Sequence, residues 1–447
     1  MVNVVRIGGK HQESAAPPAG YEAKAWSWSA FVSTYLPALI LAIGTGIALP
    51  VVPKIAKSFH VGFSLATGVT TAFLIGSVLG TIPTGWLVDR VGRRRIMLLG
   101  PILTAAMAFL VLTARNFPEL LVYRFFDGCA SQMWLIGRLA GISHGAAPNQ
   151  RGRQVSWMFG MDNTGKFVGP LFGIPIYHLW GTRAPFAAYG FLALVALVPA
   201  YLFTKDTPRR DLPATTATGT ATSAPAPAEA ARRLTTRQIV LPRLVYFAVA
   251  FCAGLARGPV QAQVYTLYSS YRYHVGTNGI GYLAGAMGFI ALPIGFTAGW
   301  MMDRFGRKRT MVPGFTGVAL TTTGLAMTAF FHMSLTAFIV IFLLGIVMQS
   351  LTGGSIQTVG ADVAPPEARG RFLGLWRFTG QGGTAISPVI FALIAHNNRY
   401  GPAFLYIGCA AAMVAILVAR FVPETGGRNA KPQVATAPLE VPVVAKR

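Results

Sequence analysis

"GWLVDRVGRRR" (Gly85–Arg95) and "GWMMDRFGRKR" (Gly299–Arg309) are dense knots of charge, each set between long apolar runs of a 447-residue chain. With 53% of the chain hydrophobic and only 12% charged, the composition is that of a membrane protein. A hydrocarbon core of about 30 Å is crossed by about 20 helical residues. Working outward from the two knots, apolar stretches of that length recur about twelve times. The spans are expected at 29–51, 66–88, 96–114, 118–143, 154–178, 184–204, 244–270, 278–302, 311–331, 335–360, 372–396 and 401–421. The fold class follows: an all-α membrane protein. Gly and Pro inside these stretches do not weaken the assignment, because neighbouring helices satisfy freed backbone groups in a bilayer.

The net charge of +24 raises nucleic-acid binding as a possibility, and the position of the basic residues removes it. With both termini cytoplasmic, the inner segments hold Arg90, Arg93 to Arg95, Arg151, Arg153, Arg304, Arg307 to Arg309, Arg369 and Arg371, while the outer loops keep few cations, among them Lys54, Lys57, Arg115, Arg183, Arg272 and Arg399. The positive-inside bias accounts for the basicity without a nucleic acid. The three cysteines, Cys129, Cys252 and Cys409, have no metal-ligand spacing and read as small buried hydrophobes. The polar N-terminus lacks the pattern of a cleaved leader, so the first span is expected to act as the targeting signal. No P-loop, H-E-x-x-H or G-x-S-x-G occurs. No enzyme chemistry, cofactor or metal is expected.

Residues 205–243 change character, to Ala, Thr and Pro with basic ends, which cannot bury a core. They divide the chain into a tail (1–28), a six-helix bundle (29–204), a flexible cytoplasmic linker (205–243), a second six-helix bundle (244–421) and a C-terminal cytoplasmic tail (422–447). The bundles align. Asp89 recurs as Asp303 at an offset of 214, and "NQRGR" at Arg151 recurs as "EARGR" at Arg369 at an offset of 218. "GKFVGP" (Gly165–Pro170) recurs as "GTAISP" (Gly383–Pro388), again at 218. Landmarks in one order at nearly one offset indicate duplication.

Over residues 25–425 the sequence resembles the major facilitator superfamily. Its signature G-x-L-x-D-R-x-G-R-R/K at the inner turn between the second and third helices is met by Gly85, Leu87, Asp89, Arg90, Gly92, Arg93 and Arg94. The second copy is met by Gly299, Asp303, Arg304, Gly306, Arg307 and Lys308, with Met301 in place of the leucine. The resemblance implies two pseudo-symmetric bundles, alternating access, coupling to protons by default, a monomer, and a cytoplasmic gate built from these residues. Physically, Gly85 and Gly299 are expected to let helices approach closely, and the arginines to anchor the turns to anionic lipid. "YRFFDGC" (Tyr123–Cys129) resembles the fourth-helix motif R-x-x-x-G, with Asp127 where the family often has glutamine. "GKFVGPLFGI" resembles the fifth-helix motif of proton-coupled exporters through Gly165, Gly169, Pro170 and Gly173, and departs from it at Lys166 and Ile174.

Ionisable groups at bilayer depth cost about 2.5–3.5 kcal/mol or more and mark function by default. They are Arg124, Asp127, Arg138, Asp162, Lys166, Arg257 and Arg377. At about 100° per residue, Arg124, Asp127 and Arg138 share one face of the fourth helix, expected to line the cavity. Arg257, Gln261, Tyr265 and Tyr268 share one face of the seventh, expected to form a polar wall against solute. Asp162 and Lys166, at i, i+4, are expected to pair and are candidates, with Asp127, for proton coupling; a purely structural pair is the equal alternative. Arg377 is expected to snorkel toward the inner surface. Five cations against two anions favour an anionic or zwitterionic solute. The first helix ends "GTGIALPVVP" without the acidic residue that many exporters of cationic drugs carry there. A broad-specificity multidrug exporter and a sugar or carboxylate importer remain the alternatives.

Overall fold

The structure is a computed structural model that describes residues 32, 35–145, 151–203, 240–365 and 369–424; the side chains of Asp89 and Asp303 and of the arginines at 151, 153, 369 and 371 lie outside that description. So do the expected N-terminal tail, nearly all of the expected linker, and the C-terminal tail beyond 424.

The described residues form twelve helical spans. The first half comprises α1 (36–58), α2 (63–91), α3 (Arg93–Thr113), α4 (Phe117–Gly145), α5 (Arg151–Trp180) and α6 (Ala184–Phe203). The second comprises α7 (241–272), α8 (Thr277–Phe305), α9 (Arg307–Phe330), α10 (335–363), α11 (Arg369–Ile394) and α12 (Tyr400–Phe421). Eight of the spans are long and apolar enough, taken alone, to cross a membrane. The other four are α4, α5, α9 and α11. Three of these, α4, α5 and α11, carry charged side chains well inside their length, so polarity rather than shortness lowers them.

The duplicated knots fold alike. Each is a two-helix corner broken by one glycine, Gly92 at φ 96 and Gly306 at φ 105, conformations that a Cβ disfavours. The next arginine opens the following helix. The duplicated small residues also do the same work in both halves. A Cβ at Gly165 of α5 would meet Leu39 O of α1 at 2.7 Å, and one at Gly383 of α11 would collide with Phe251 O of α7. Both backbone pairs are therefore in contact, α1 on α5 and α7 on α11, which only small residues allow.

Besides a one-residue irregularity at Thr67 of α2, three spans are interrupted. α1 tightens into a 3-10 turn at Leu49–Val51, which contains Pro50. α7 breaks at Ala262 and Gln263, the latter at φ 55, and α10 breaks at Thr352–Gly354, with Gly354 at φ 74. The expected end of the first span at 51 is too early: Lys54 and Lys57 do not stop the helix, because they stand at its rim where their ammonium groups reach polar partners and open space.

Hydrophobic packing differs between the two faces of the molecule. Away from the Arg-rich turns, one core joins both halves, with Val51, Phe63, Leu120 and Phe186 packed in the same cluster as Ala262, Tyr268, Phe338, Phe391 and Phe404. Toward the Arg-rich turns the cores are separate. Leu41, Met97, Trp134 and Ala193 belong to the first half alone, and Phe247, Met311, Phe315, Phe372 and Trp376 to the second.

Candidate functional site

The seal on the face opposite the Arg-rich turns is built from both halves. Phe63, in the first turn of α2, sits among second-half rings, 5.0 Å from Tyr400, 5.8 Å from Tyr271 and 6.1 Å from Phe391. Polar contacts tie the same elements across the halves. Lys57 Nζ donates to Ser270 O at 2.6 Å and reaches Ser270 Oγ at 2.9 Å. Tyr271 Oη donates to Val61 O at 2.9 Å, Ser64 Oγ to Ala392 O at 2.9 Å, and Thr70 Oγ1 to Ala262 O at 2.7 Å. The acceptor Ala262 O lies at the break in α7, where the helix no longer runs continuously. None of these pairs is foreshadowed by any sequence motif.

The α4 charges turn inward, as their shared arc requires, but into the first bundle and not toward an opening between halves. Arg124 and Asp127 are 6% and 2% exposed. Arg124 Nη1 donates to Asp127 Oδ2 at 2.5 Å, and Tyr189 of α6 donates its hydroxyl to Asp127 Oδ1 at 3.1 Å. The guanidinium also lies over the rings of Phe73 and Phe186, at 4.8 and 5.8 Å. Asp127 is thus bonded by both Arg124 and Tyr189, while Arg124 Nε has no hydrogen-bond partner. Arg138 is 4% exposed and lies over Trp134 at 4.8 Å, with Nε and Nη1 unpartnered.

On α5, Lys166 Nζ donates to Asp162 Oδ2 at 2.6 Å, the pair expected from the i, i+4 spacing. Its side chains remain 47% and 28% exposed, unlike those of the α4 pair. Gly165, Gly169 and Gly173 beside it pack against the α1 backbone.

The polar wall expected on α7 is not continuous. Arg257 and Gln261 lie before the break at Ala262–Gln263, and Tyr265 and Tyr268 lie after it, so the residue-by-residue angle that placed all four on one face no longer applies. Tyr265 is 4% exposed, stacked on Phe404 at 5.7 Å and tilted against Phe342 at 5.5 Å. In this state it is packed in the core that joins the two halves. Gln261 is exposed. Arg257 Nη2 bonds the main-chain oxygen of Thr352, and Thr352 Oγ1 at 2.7 Å, and so bridges the breaks in α7 and α10. Arg377 is exposed.

At the Arg-rich turns, Arg90 lies over Trp86 at 4.0 Å and Arg304 over Trp300 at 5.2 Å, one copy per half. Arg93 opens α3, and Arg307, which opens α9, forms an ion pair with Asp362. Glu424 accepts hydrogen bonds from the main-chain N–H groups of Arg307, Lys308 and Arg309 at 2.6, 3.2 and 3.4 Å. Its carboxylate caps the positive end of α9, so the tail expected from 422 onward begins as a docked segment. Sequence reasoning missed this because 115 to 117 residues separate the partners. The expectation that Gly85 and Gly299 bring helices together is corrected: a Cβ at either would meet nothing within 4 Å. The side chains of Asp89 and Asp303 lie outside the described residues.

Comparison with known proteins agrees with this architecture. The family model of the Major Facilitator Superfamily matches residues 34–388 and 263–445. The tetracycline resistance protein, class H, of Pasteurella multocida is 23% identical over 379 residues, 82% of this chain and 89% of that protein. The quinolone resistance protein NorA of Staphylococcus aureus (strain MRSA252) is 23% identical over 241 residues, 53% of this chain and 58% of that protein's length. Among solved structures, that of a D-xylose-proton symporter superposes with a TM-score of 0.72 at 18% identity, covering 89% of this chain and 98% of that one. With two bundles of six spans, a duplicated Gly-turn motif and a match over most of its length, the chain belongs to the Major Facilitator Superfamily.

Proposed function

We propose that the chain is a proton-coupled secondary transporter of a small organic solute with an anionic or zwitterionic group. It works by alternating access from a plasma or inner membrane, with both termini and the Arg-rich turns cytoplasmic. The observation that carries the alternating-access reading is the division of the cores. One aromatic core welds the halves at the outer face, while separate cores lie behind the Arg-rich turns, as expected of a state open to the cytoplasm. Rocking would break the outer seal and bring the two Arg-rich corners together.

The solute charge rests on the cations. Arg124 is matched by Asp127 and Lys166 by Asp162, whereas Arg138, Arg257 and Arg377 have no carboxylate at ion-pair distance among the described residues. Arg377 is exposed and Arg138 feels the charge of Asp162, which leaves Arg257 as the chief support. It is a part-buried cation whose bonds go to neutral groups, which favours an anionic ligand. Asp162, paired yet partly exposed, is the first candidate for the coupling proton and Asp127 the second. The printed names of the relatives, quinolone and tetracycline resistance proteins, favour a second reading, a broad-specificity exporter.

The test is solute-evoked proton flux in proteoliposomes with a trapped pH dye, challenged with organic anions, organic cations and neutral sugars. Flux evoked by anions, and lost in Asp162→Asn, supports the first reading. A response to cations alone overturns the charge argument and leaves the exporter. Asp89→Asn or Asp303→Asn should lower turnover more than solute affinity; unaltered turnover would remove the cytoplasmic gate from those residues.

A further inference from the structure

The outer face holds a cavity of about 930 Å³ lined by both halves. Lys54 and Lys57 of α1, His178 of α5 and Arg183 of the α5–α6 turn enter it from the first half, and His274 of the α7–α8 turn from the second. Among the described residues no carboxylate lines it. Glu119 is, among the described residues, the acid at the span ends on this face, and the Arg115 N–H and the Asn116 side chain already occupy it at 2.9 and 2.8 Å. His178 Nε2 lies 2.7 Å from Asn278 Oδ1. Lys54, Lys57 and Arg183 are the permanent cations of the set, and the bonds they make go to neutral groups: Lys57 to Ser270, Arg183 to the carbonyls of Leu112 and Ala114. Their charge stays uncompensated.

This excess of positive charge runs against the bias that sets membrane topology, so orientation of the chain does not explain it. The start of α8 adds to it. That 29-residue helix begins after Gly276 with no side-chain cap and no acid in its first turn, and Gly276, Thr277 and Asn278 line the cavity. Its dipole therefore presents a positive end to the same space.

We propose that this outer cavity binds a small oxyanion, a carboxylate or phosphate group, and that occupancy holds the outer face closed. The ligand set exists only while the halves are together. Opening would carry Lys54, Lys57, His178 and Arg183 away from His274 and the α8 N-terminus. A ligand that binds one state better shifts the equilibrium toward it by its differential affinity. Extracellular anions thus act on the transporter from outside the transport route, whatever solute it carries.

The test uses the full chain in nanodiscs of phosphatidylcholine alone, which excludes anionic headgroups, with radiolabelled pyrophosphate and citrate as probes. Equilibrium binding is measured without any carried solute, so it stands or falls separately from the transport reading. In parallel, spin labels at Thr113→Cys and Met333→Cys, in a Cys129→Ala, Cys252→Ala, Cys409→Ala background, report the separation of the halves at the outer face. Saturable binding is expected, weakened at least about tenfold in the Lys54→Gln, His274→Gln double variant and unaltered in Arg115→Gln. Both of the substituted cavity residues are exposed, and an unshifted ligand-free label distance verifies that the variant folds. Pyrophosphate should enrich the shorter distance. Binding of citrate but not pyrophosphate would identify a carboxylate site, and the reverse a phosphate site. Absence of saturable binding, indifference to the double variant, or equal loss in Arg115→Gln would overturn the site; binding without a change in distance would overturn the closure.

Discussion

Thr70→Val tests how the outer seal is held. Thr70 Oγ1 donates to Ala262 O at 2.7 Å across the two halves, with a weaker second acceptor, Thr67 O, at 3.2 Å on its own helix. Both residues are buried in the sealed state. Valine keeps the branched shape and removes the donor, so the carbonyl at the α7 break loses its cross-half partner. A buried acceptor deprived of its donor costs about 1–3 kcal/mol. The cost falls on the sealed state alone, since water reaches the carbonyl once the halves part. The ratio of outer-open to outer-closed molecules should therefore rise by about 5- to 150-fold. The measurement is the distance distribution between the labels at Thr113→Cys and Met333→Cys. Thr81→Val is the control, because Thr81 Oγ1 bonds only Ser77 O of its own helix, at 2.9 Å. An open population within about twofold of the parent would mean that this bond contributes nothing to the seal, and that the aromatic cluster around Phe63 carries it alone.

Removing the hydroxyl in Tyr265→Phe should leave both stability and solute affinity unaltered, whereas Tyr265→Ala should cost about 3–5 kcal/mol in the unfolding of the purified chain; a solute-affinity loss in the phenylalanine variant would return Tyr265 to the binding site. Asp127→Asn strands the buried Arg124 charge and should cost about 3–5 kcal/mol, while joint replacement by Arg124→Met and Asp127→Leu should recover most of it. If Asp127→Asn keeps its thermal stability and loses only proton coupling, the structural reading of that pair is wrong. Gly169→Val must push α1 from α5 and should cost about 1–3 kcal/mol, but Gly85→Ala, with open space around it, should fold normally; thermal unfolding of the two variants separates these outcomes.

Some of the site was legible because its causes are local. Asp162 and Lys166 lie one helical turn apart, so their spacing alone set the pair. Arg124 and Asp127 are as close in sequence, yet their burial was not legible, since Tyr189, which bonds Asp127, comes from another helix with no signal of its own. The α7 wall failed for a similar reason. A helical angle can be extrapolated only while the helix continues, and "GPVQAQ" does not announce that Gln263 takes a left-handed conformation.

About twelve spans, their duplication and the two charged turns were legible in the residues, because hydropathy and repeat offsets are properties of short segments, whatever the rest of the chain does. That Gly92 and Gly306 turn those corners at positive φ was not. The tertiary structure alone decided which face is sealed, which cations are left without a carboxylate, and that Glu424 caps α9. Those outcomes depend on groups more than 100 residues apart meeting in a low-dielectric interior, where each buried charge or carbonyl takes the partner that packing delivers.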